Sequence, residues 1–217
     1  MANWTAVIPV KRLAVAKTRL RGAVPSAHHQ DLALAMLRDT LVSVLAAPET
    51  AEVLVVTDDP AAAAAAGALG ARAVPDRPDA GLNDAMRYGA DVVAGLGVHR
   101  AVLTGDLPAL RPEELDAALA QAGQRSYVAD AAGTGTVLLT APPGVALEPR
   151  FGVGSAAAHV ASGARALAGD WPGLRQDVDT VADLRTVLAL GPGRHTCALL
   201  RDLGLTADCG LWHLPAA

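Results

Sequence analysis

Apolar runs alternate with amphipathic segments along the first half of the chain. Runs of Val, Ile, Leu and Ala with few charges are typical of strands covered on both faces of a sheet, and they predict strands at 4–10, 53–57, 71–74 and 100–104. Apolar residues at helical spacing predict helices at 26–46, 61–69, 81–95 and 113–120. This alternation favours right-handed crossovers and an α/β fold with a mainly parallel sheet.

The pattern changes in the second half. Strands are predicted at 126–129 and 136–140, and only the glycine-threonine loop at 130–135 separates them. That loop fits a hairpin turn, and it also fits a donor of hydroxyl and amide groups to an anion. Helices are predicted at 155–166 and 197–203. The second lies in a tail, residues 191–217, that carries no functional signal.

One carboxylate stands at the end of the fourth predicted strand. Gly105 lets the backbone turn there, Asp106 follows at the carboxyl edge, and Pro108 ends the ladder. Open α/β sheets bind ligands at the carboxyl ends of their strands, where Asp106 would suit a metal ion or a phosphate. Helix capping or turn formation explains this aspartate equally well.

A basic loop follows the first strand. Residues 11–20, KRLAVAKTRL, contain no acidic residue, and Lys11 and Lys17 are the only lysines among the 18 Lys and Arg residues of the chain. The loop fits phosphate binding by Lys17 and Arg19, and it equally fits the solvated start of a basic helix. It has neither a Walker lysine motif nor a dinucleotide glycine motif.

Composition narrows the classes of protein to consider. With 217 residues, 52% of them hydrophobic, the chain can bury the core of one domain that spans 1–217. A net charge of -4 and only 3% aromatic residues argue against nucleic-acid binding. The absence of a long apolar run favours a cytoplasmic protein without a membrane partner. Cys197 and Cys209 lack metal-type spacing and are expected to be ordinary thiols, because a cytosolic setting disfavours the alternative of a disulfide.

Polar residues near two predicted helix starts allow two interpretations each. Asn83 fits a helix cap or an amide contact to a base or ribose. In FGVGSAAAH, residues 151–159, Ser155 fits an N-cap or an anion site. His159 fits a packed helix residue better than a phosphate contact.

A pair of carboxylates comes late in the chain. Asp177 and Asp179 alternate with Val178, so in an extended segment both point to one side, and 180–183 is typical of a capping box. Together with Asp106 they would hold one or two Mg²⁺ ions against phosphate oxygens. Such parts suit phosphoryl or nucleotidyl transfer, which needs no covalent nucleophile. We expect the three carboxylates to converge in the fold.

Six segments together resemble a known family. They are IPVKRLAVAKTRL, GLNDAM, VLTGDLPAL, GTGTVLL, FGVGSAAAH and DVDTVADL. The combination closely resembles the 2-phospho-L-lactate and phosphoenolpyruvate guanylyltransferases of coenzyme F-420 biosynthesis, over about residues 4–190. The resemblance implies a single-domain nucleotidyltransferase fold, Rossmann-like and GT-A-like, built as a three-layer sandwich around a mostly parallel mixed sheet. It also implies that the phosphate of a small C3 acid attacks the α-phosphorus of GTP and releases pyrophosphate.

The resemblance also implies roles for individual residues. With Mg²⁺ as the cofactor, the implied metal ligands are Asp106, Asp177 and Asp179. The residues implied to act in catalysis are Asp106, Lys17 and Arg19. The residues implied to bind the nucleotide are Lys11, Lys17, Arg19, Asp76, Asn83 and Gly105. The positions expected to hold the acid are Thr136, Gly152 and Ser155. Family members often have a further threonine where this chain has Val137, which makes Thr134 an alternative contact.

The expected partners are GTP and a small phosphorylated C3 acid, and a homodimer remains open. The Ala-, Gly- and Arg-rich composition resembles that of actinobacterial proteins, whose family members are expected to use phosphoenolpyruvate. A metal-dependent glycosyltransferase of related fold is an alternative, although its paired acids usually follow the mid-chain strand, where this chain has the lone Asp106. A nucleotide sensor without turnover is a third interpretation.

Overall fold

The computed structural model of the protein contains one mixed sheet. It describes residues 4–13, 20, 24–77, 79–95 and 97–206. The strands are β1 (Trp4–Pro9), β2 (Thr50–Val56), β3 (Arg72–Val74), β4 (His99–Leu103), β5 (Ser126–Ala129), β6 (Thr136–Ala141) and β7 (Arg165–Ala166). Their order is β3-β2-β1-β4-β6-β5-β7. Only β6 runs antiparallel to its neighbours, so the prediction of a mostly parallel mixed sheet is confirmed.

Helices connect most of the strands. They are α1 (His29–Ala46), α2 (Pro60–Leu69), α3 (Leu82–Val92), α4 (Pro112–Ala120), α5 (Ser155–Ala161), α6 (Pro172–Arg175), α7 (Val181–Leu190) and α8 (Arg194–Asp202). A short 3-10 turn, Ser26–His28, leads into α1. Within the ranges given above, no helix has the length and apolar character needed to cross a membrane.

Both faces of the sheet are covered. On one face Ile8 packs with Leu37 of α1 and with residues of α2 and α4. On the other face Val7 packs with Met86 of α3 and Ala156 of α5. Adjacent residues of β1 therefore point into different cores, as the two-residue period of a strand requires. The result is the expected three-layer sandwich.

The strand order reverses between β1 and β4. The chain moves outward from β1 to β2 and β3 and then returns to the other side of β1 as β4. At such a reversal, the carboxyl ends of two parallel strands open a crevice for ligands. Because β6 is antiparallel to β4, with Leu138 opposite Leu103, its first residue Thr136 lies at the same edge of the sheet.

The C-terminal helices pack against α1. Leu32 and Met36 of α1 share a core with residues of α7 and α8. The carboxylate of Asp39 accepts hydrogen bonds from the amides of His195 at 3.0 Å and Thr196 at 2.8 Å, in the first turn of α8. These amides have no partner within the helix, so Asp39 caps α8. Burial raises the pKa of Asp39. The described part of the tail therefore has a structural role.

The structure differs from the predictions at three places in the second half. The helix predicted at 155–166 ends at Ala161, because Gly163 takes a φ of 83°, in the left-handed region that ends helices, and Arg165 pairs with β5. Helix α6 has only four residues, too few to produce a periodic pattern. Cys197 is disulfide-bonded rather than an ordinary thiol, so the expectation from a cytosolic setting was wrong.

Candidate active site

A cavity of about 290 Å³ lies where the strand order reverses. Its walls come from the carboxyl end of β1, from α1 and from the turn after β4. The polar side chains among its lining residues are Lys11, Thr104, Asp106 and Asp179. The cavity thus lies where an open α/β sheet is expected to bind its ligand.

The turn that carries Asp106 is attached to α1 through Thr40. The hydroxyl of Thr40, which is fully buried, accepts a hydrogen bond from the Leu107 amide at 3.0 Å. The same oxygen lies 3.4 Å from the Gly105 carbonyl. Contacts on both sides of Asp106 therefore fix the backbone from which its carboxylate projects.

The two residues before Asp106 have different environments. A Cβ atom at Gly105 would lie 3.3 Å from side-chain atoms of both Ile8 and Leu37, so glycine is favoured here by packing of the core rather than by room for a nucleotide. Thr104 lines the cavity, and its hydroxyl is buried without a hydrogen-bond partner among the described residues. A buried hydroxyl of this kind is a ready contact for a bound polar group.

Helix α6 is held in place by α4. The Glu114 carboxylate accepts hydrogen bonds from the amides of Gly173 at 3.1 Å and Leu174 at 2.8 Å. Burial raises the pKa of Glu114. A Cβ atom at Gly173 would lie 2.1 Å from the Ala109 carbonyl oxygen, so α6 approaches the turn after β4 as closely as glycine allows.

The segment between α6 and α7 belongs to no strand, but the burial of its residues alternates. Val178 is buried in the core, Asp177 is half-buried and Asp179 is exposed. The predicted capping box is also confirmed, because the Thr180 hydroxyl accepts from the Asp183 amide while the Asp183 carboxylate accepts from the Thr180 amide. Asp179, which directly precedes this capping box, lines the cavity together with the end of β1.

Two of the three expected metal ligands line one cavity. Asp106 and Asp179 are among its lining residues, and Asp177 is not. In the described ranges, no group of three or more His, Cys, Asp or Glu side chains is arranged to hold a metal ion. Mg²⁺ is commonly bound by one or two carboxylates together with waters and phosphate oxygens of a substrate, so it needs no complete protein cage. The carboxylate oxygens at this cavity fit a divalent metal bound with a nucleotide.

The basic loop begins at the same edge of the sheet. Lys11 is exposed and lines this cavity. The Leu13 amide donates to one carboxylate oxygen of Asp59 at 2.9 Å, and the other oxygen of Asp59 accepts from two amides in the first turn of α2. Lys17 and Arg19 lie outside the described residues.

A second cavity, of about 340 Å³, shares Lys11 with the first. The carboxylates of Asp58, Asp76 and Asp79 line it. Asp58 accepts a hydrogen bond from the Asp76 amide at 3.1 Å, and Asp76 accepts one from the Asp79 amide at 3.3 Å. Burial raises the pKa of Asp76, and the charges of the other two aspartates add to this rise. This acidic wall suits a ligand that presents N–H groups.

Asn83 pairs with the backbone of Phe151. Its side-chain oxygen accepts from the Phe151 amide at 2.7 Å, and its side-chain nitrogen donates to the Phe151 carbonyl at 3.0 Å. Gly81 is the N-cap of α3, so Asn83 is not a helix cap. Its amide joins α3 to the glycine-containing loop of 151–154.

The residues predicted to bind the acid come together around α5. Ser155 begins this helix, and its amide donates to the Gly152 carbonyl at 3.1 Å. Thr136, at the start of β6, lies with its hydroxyl 2.9 Å from Nδ1 of His159 on α5. His159 is fully buried, which confirms the preference for a packed residue.

A family model decides the identity of this arrangement. The model described as "Guanylyl transferase CofC like" matches residues 4–210. The chain belongs to this family. Among relatives of the CofC-like family, the phosphoenolpyruvate guanylyltransferase of Salinispora arenicola is 61% identical over 94% of this chain and 96% of its own length. The phosphoenolpyruvate guanylyltransferase of Geodermatophilus obscurus is 57% identical over 91% of this chain and 94% of its own length.

Solved structures share the fold of this CofC-like chain. A nucleotidyl transferase from Methanothermobacter superposes with a TM-score of 0.63 at 17% identity and covers 88% of this chain and 98% of its own. A putative nucleotide-diphospho-sugar transferase from Desulfovibrio desulfuricans superposes with a TM-score of 0.66 at 18% identity and covers 94% of this chain and 96% of its own. A Mycobacterium tuberculosis protein complexed with manganese superposes with a TM-score of 0.54 at 19% identity and covers 87% of this chain and 99% of its own.

Three supporting residues of the CofC-like site were not predicted in that role. They are Thr40, Glu114 and His159. Thr40 and Glu114 bind backbone amides far away in sequence, and such contacts leave no periodic pattern. For His159 the sequence did offer a signal, its position one turn after Ser155. That position indicated a packed residue and did not reveal the hydrogen bond to Thr136.

Proposed function

We propose that the chain is a guanylyltransferase that joins GMP from GTP to the phosphate of phosphoenolpyruvate. An oxygen of that phosphate forms a bond to the α-phosphorus of GTP, the bond from this phosphorus to the β-phosphate oxygen breaks, and pyrophosphate leaves. The observation that carries the proposal is the cavity at the strand reversal, where Asp106, Asp179 and Lys11 lie together. The names of relatives at 50–61% identity support phosphoenolpyruvate as the acid.

The nucleotide is proposed to occupy the two neighbouring cavities. The basic loop neutralises the triphosphate, and the acidic wall at Asp76 accepts hydrogen bonds from N–H groups of guanine. Asn83 uses one N–H for Phe151 and keeps a second for the nucleotide. The proposed nucleotide-binding residues are Lys11, Lys17, Arg19, Asp76, Asn83 and Gly105, the last through its backbone.

Asp106, Asp177 and Asp179 are the proposed ligands of Mg²⁺. A bound divalent ion would neutralise charge on the phosphate oxygens of the substrates. The manganese held by one structural neighbour supports the use of a divalent metal. The chain's own part is to hold Asp106 and Asp179 at the cavity, Asp106 through the turn attached to Thr40. Lys17 and Arg19 are proposed to act with Asp106 in catalysis, by offsetting charge as pyrophosphate leaves.

The acid is proposed to bind at Thr136, Gly152 and Ser155. The hydroxyls and the glycine backbone in this group offer hydrogen-bond donors to its carboxylate and phosphate. Catalysis then rests on alignment and charge neutralisation, without a covalent nucleophile. GTP and phosphoenolpyruvate are cytoplasmic metabolites, and the cytoplasm is the proposed compartment.

The test is a product assay with each acid. The full chain is incubated with GTP, Mg²⁺ and either phosphoenolpyruvate or 2-phospho-L-lactate, and pyrophosphate and the mass of the product are measured. We expect pyrophosphate and a guanylylated product, with phosphoenolpyruvate preferred and with at least a hundredfold loss of rate in Asp106→Asn. No pyrophosphate with either acid would overturn the proposal. Transfer or hydrolysis of a GDP-sugar would favour a glycosyltransferase instead.

A further inference from the structure

We propose that His159 is a positioning residue for the acid substrate. It holds the Thr136 hydroxyl so that the hydroxyl donates its proton toward the bound acid, and it anchors the start of the loop that contains Gly152. The proposal rests on the proposed function, because it takes Thr136 and Gly152 as contacts of that acid.

The hydrogen bonds of His159 determine which ring nitrogen carries the proton. The Arg150 amide donates to Nε2 at 3.0 Å, so Nε2 has no proton of its own. Burial, together with the charges of Arg125 and Arg150, lowers the pKa of His159 to about 4, and the ring is neutral near pH 7. A neutral imidazole with a bare Nε2 is protonated at Nδ1. Nδ1 therefore donates to the Thr136 hydroxyl oxygen, at 2.9 Å.

This bond sets the direction of the Thr136 hydroxyl. An oxygen that accepts from Nδ1–H must send its own hydrogen elsewhere. No other side-chain hydrogen bond of Thr136 occurs among the described residues, so the site can direct this hydrogen to a ligand oxygen. An anionic acid needs such donors, and a fixed hydroxyl loses less rotational freedom on binding than a mobile one.

The same imidazole fixes the backbone ahead of Gly152. His159 holds the Arg150 amide, and Asn83 holds both the amide and the carbonyl of Phe151. Peptide groups are planar and trans, so a fixed Phe151 carbonyl also fixes the Gly152 amide, which points the opposite way. Edge-on contact with the Phe151 ring, at a centroid distance of 5.3 Å, keeps the imidazole in place.

The test compares KM values for the two substrates in the full chain. His159→Leu removes both ring nitrogens, whereas His159→Asn keeps an N–H near the position of Nδ1. We expect His159→Leu to raise KM for phosphoenolpyruvate by about tenfold and to leave KM for GTP within about twofold, with partial recovery in His159→Asn. In a Thr136→Val background, His159→Leu is expected to have a smaller effect. His28→Asn, at an exposed histidine, is the matched control.

Each result supports or overturns the proposal. Equal rises in both KM values, or an unchanged KM for phosphoenolpyruvate in His159→Leu, would overturn the proposed role of His159. The proposed function would still stand, because the wild-type chain would be active. Absence of wild-type activity would instead overturn the proposed function itself. Should the leucine variant fail to fold, ¹⁵N NMR of the wild-type imidazoles decides, because a proton on Nε2 near pH 7 contradicts the proposal and a proton on Nδ1 supports it.

Discussion

The carboxylate of Asp59 accepts a hydrogen bond from the Leu13 amide at 2.9 Å, across 46 residues of sequence. Asp59 is buried, and its second oxygen caps α2. One side chain thus joins the start of a helix to the start of the basic loop. Lys11 directly precedes this attachment, so the position of this proposed triphosphate-binding residue depends on the residue that caps α2.

Asp59→Asn separates these two functions of Asp59. An amide keeps one oxygen for the α2 amides but offers no second acceptor to Leu13. We expect KM for GTP to rise by about tenfold and the free energy of unfolding to fall by about 1–3 kcal/mol, as measured by steady-state kinetics and urea unfolding. Asp31→Asn, at an exposed aspartate, is the control. An unchanged KM for GTP would show that the loop does not depend on this bond.

Thr40→Val tests whether the turn after β4 controls the proposed metal site. The substitution keeps the shape of the side chain but leaves the Leu107 amide without its acceptor. We expect the Mg²⁺ concentration for half-maximal rate to rise severalfold and stability to fall by about 1–3 kcal/mol. Thr40→Ser, which keeps the hydroxyl, should stay close to the wild type. A loss of stability without a change in Mg²⁺ dependence would contradict the prediction. Chelation of divalent ions should abolish pyrophosphate release in the wild type and in both variants.

Gly173→Ala tests the close approach of α6 to the turn after β4. The added methyl group would lie 2.1 Å from the Ala109 carbonyl oxygen, so the backbone must move. We expect a loss of about 1–3 kcal/mol in the free energy of unfolding, measured by urea unfolding. Gly123→Ala is the matched control, because a Cβ atom there meets nothing within 4 Å. Equal stabilities of the two variants would refute the packing argument.

The lowered pKa of His159 predicts a pH dependence of stability. The folded chain holds this histidine at a pKa of about 4, against an ordinary value of 6.5. Between these values the unfolded chain binds more protons, so the stabilisation is complete above pH 6.5 and is lost as the pH falls toward 4. The contribution should fall by roughly 2 kcal/mol between pH 7 and pH 4.5. Urea unfolding of wild type and His159→Asn at both pH values checks this, since the gap between the two proteins should narrow at the lower pH.

Strands β1 to β6 and most helices follow from the sequence because their signals are local. The buried strand before Asp106 and the long helix at α1 both repeat their pattern over several residues. The helix predicted beyond Ala161 was wrong because alanine-rich sequence continues past the turn at Gly163, while pairing with β5 takes the next residues into the sheet. A pairing of this kind depends on a distant strand, and no local pattern encodes it.

The candidate site was predictable in part for the same reason. Asp106 at a strand end and the alternation of Asp177 with Asp179 are local features of the sequence. Asp106 and Asp179 both line the cavity. The acceptor roles of Thr40 and Glu114 were not predictable, since their partners are backbone amides that every residue except proline carries. Of the two interpretations of Asn83, the helix cap is wrong because Gly81 caps α3, and the nucleotide contact stays a prediction. Its pairing with Phe151, 68 residues away, leaves no local signal.

Two consecutive residues of α1 hold two segments that are far apart in the sequence. Asp39 holds the first turn of α8, and Thr40 holds the turn that carries Asp106. A Cβ atom at Gly193 would lie 2.4 Å from the Asp39 side chain, so the fit between helix and tail is tight. For protein engineering, the C-terminal helices are therefore not an exchangeable appendage: a chimera that takes them from another family member must keep the match to Asp39, or the helix that supports Asp106 will shift with them.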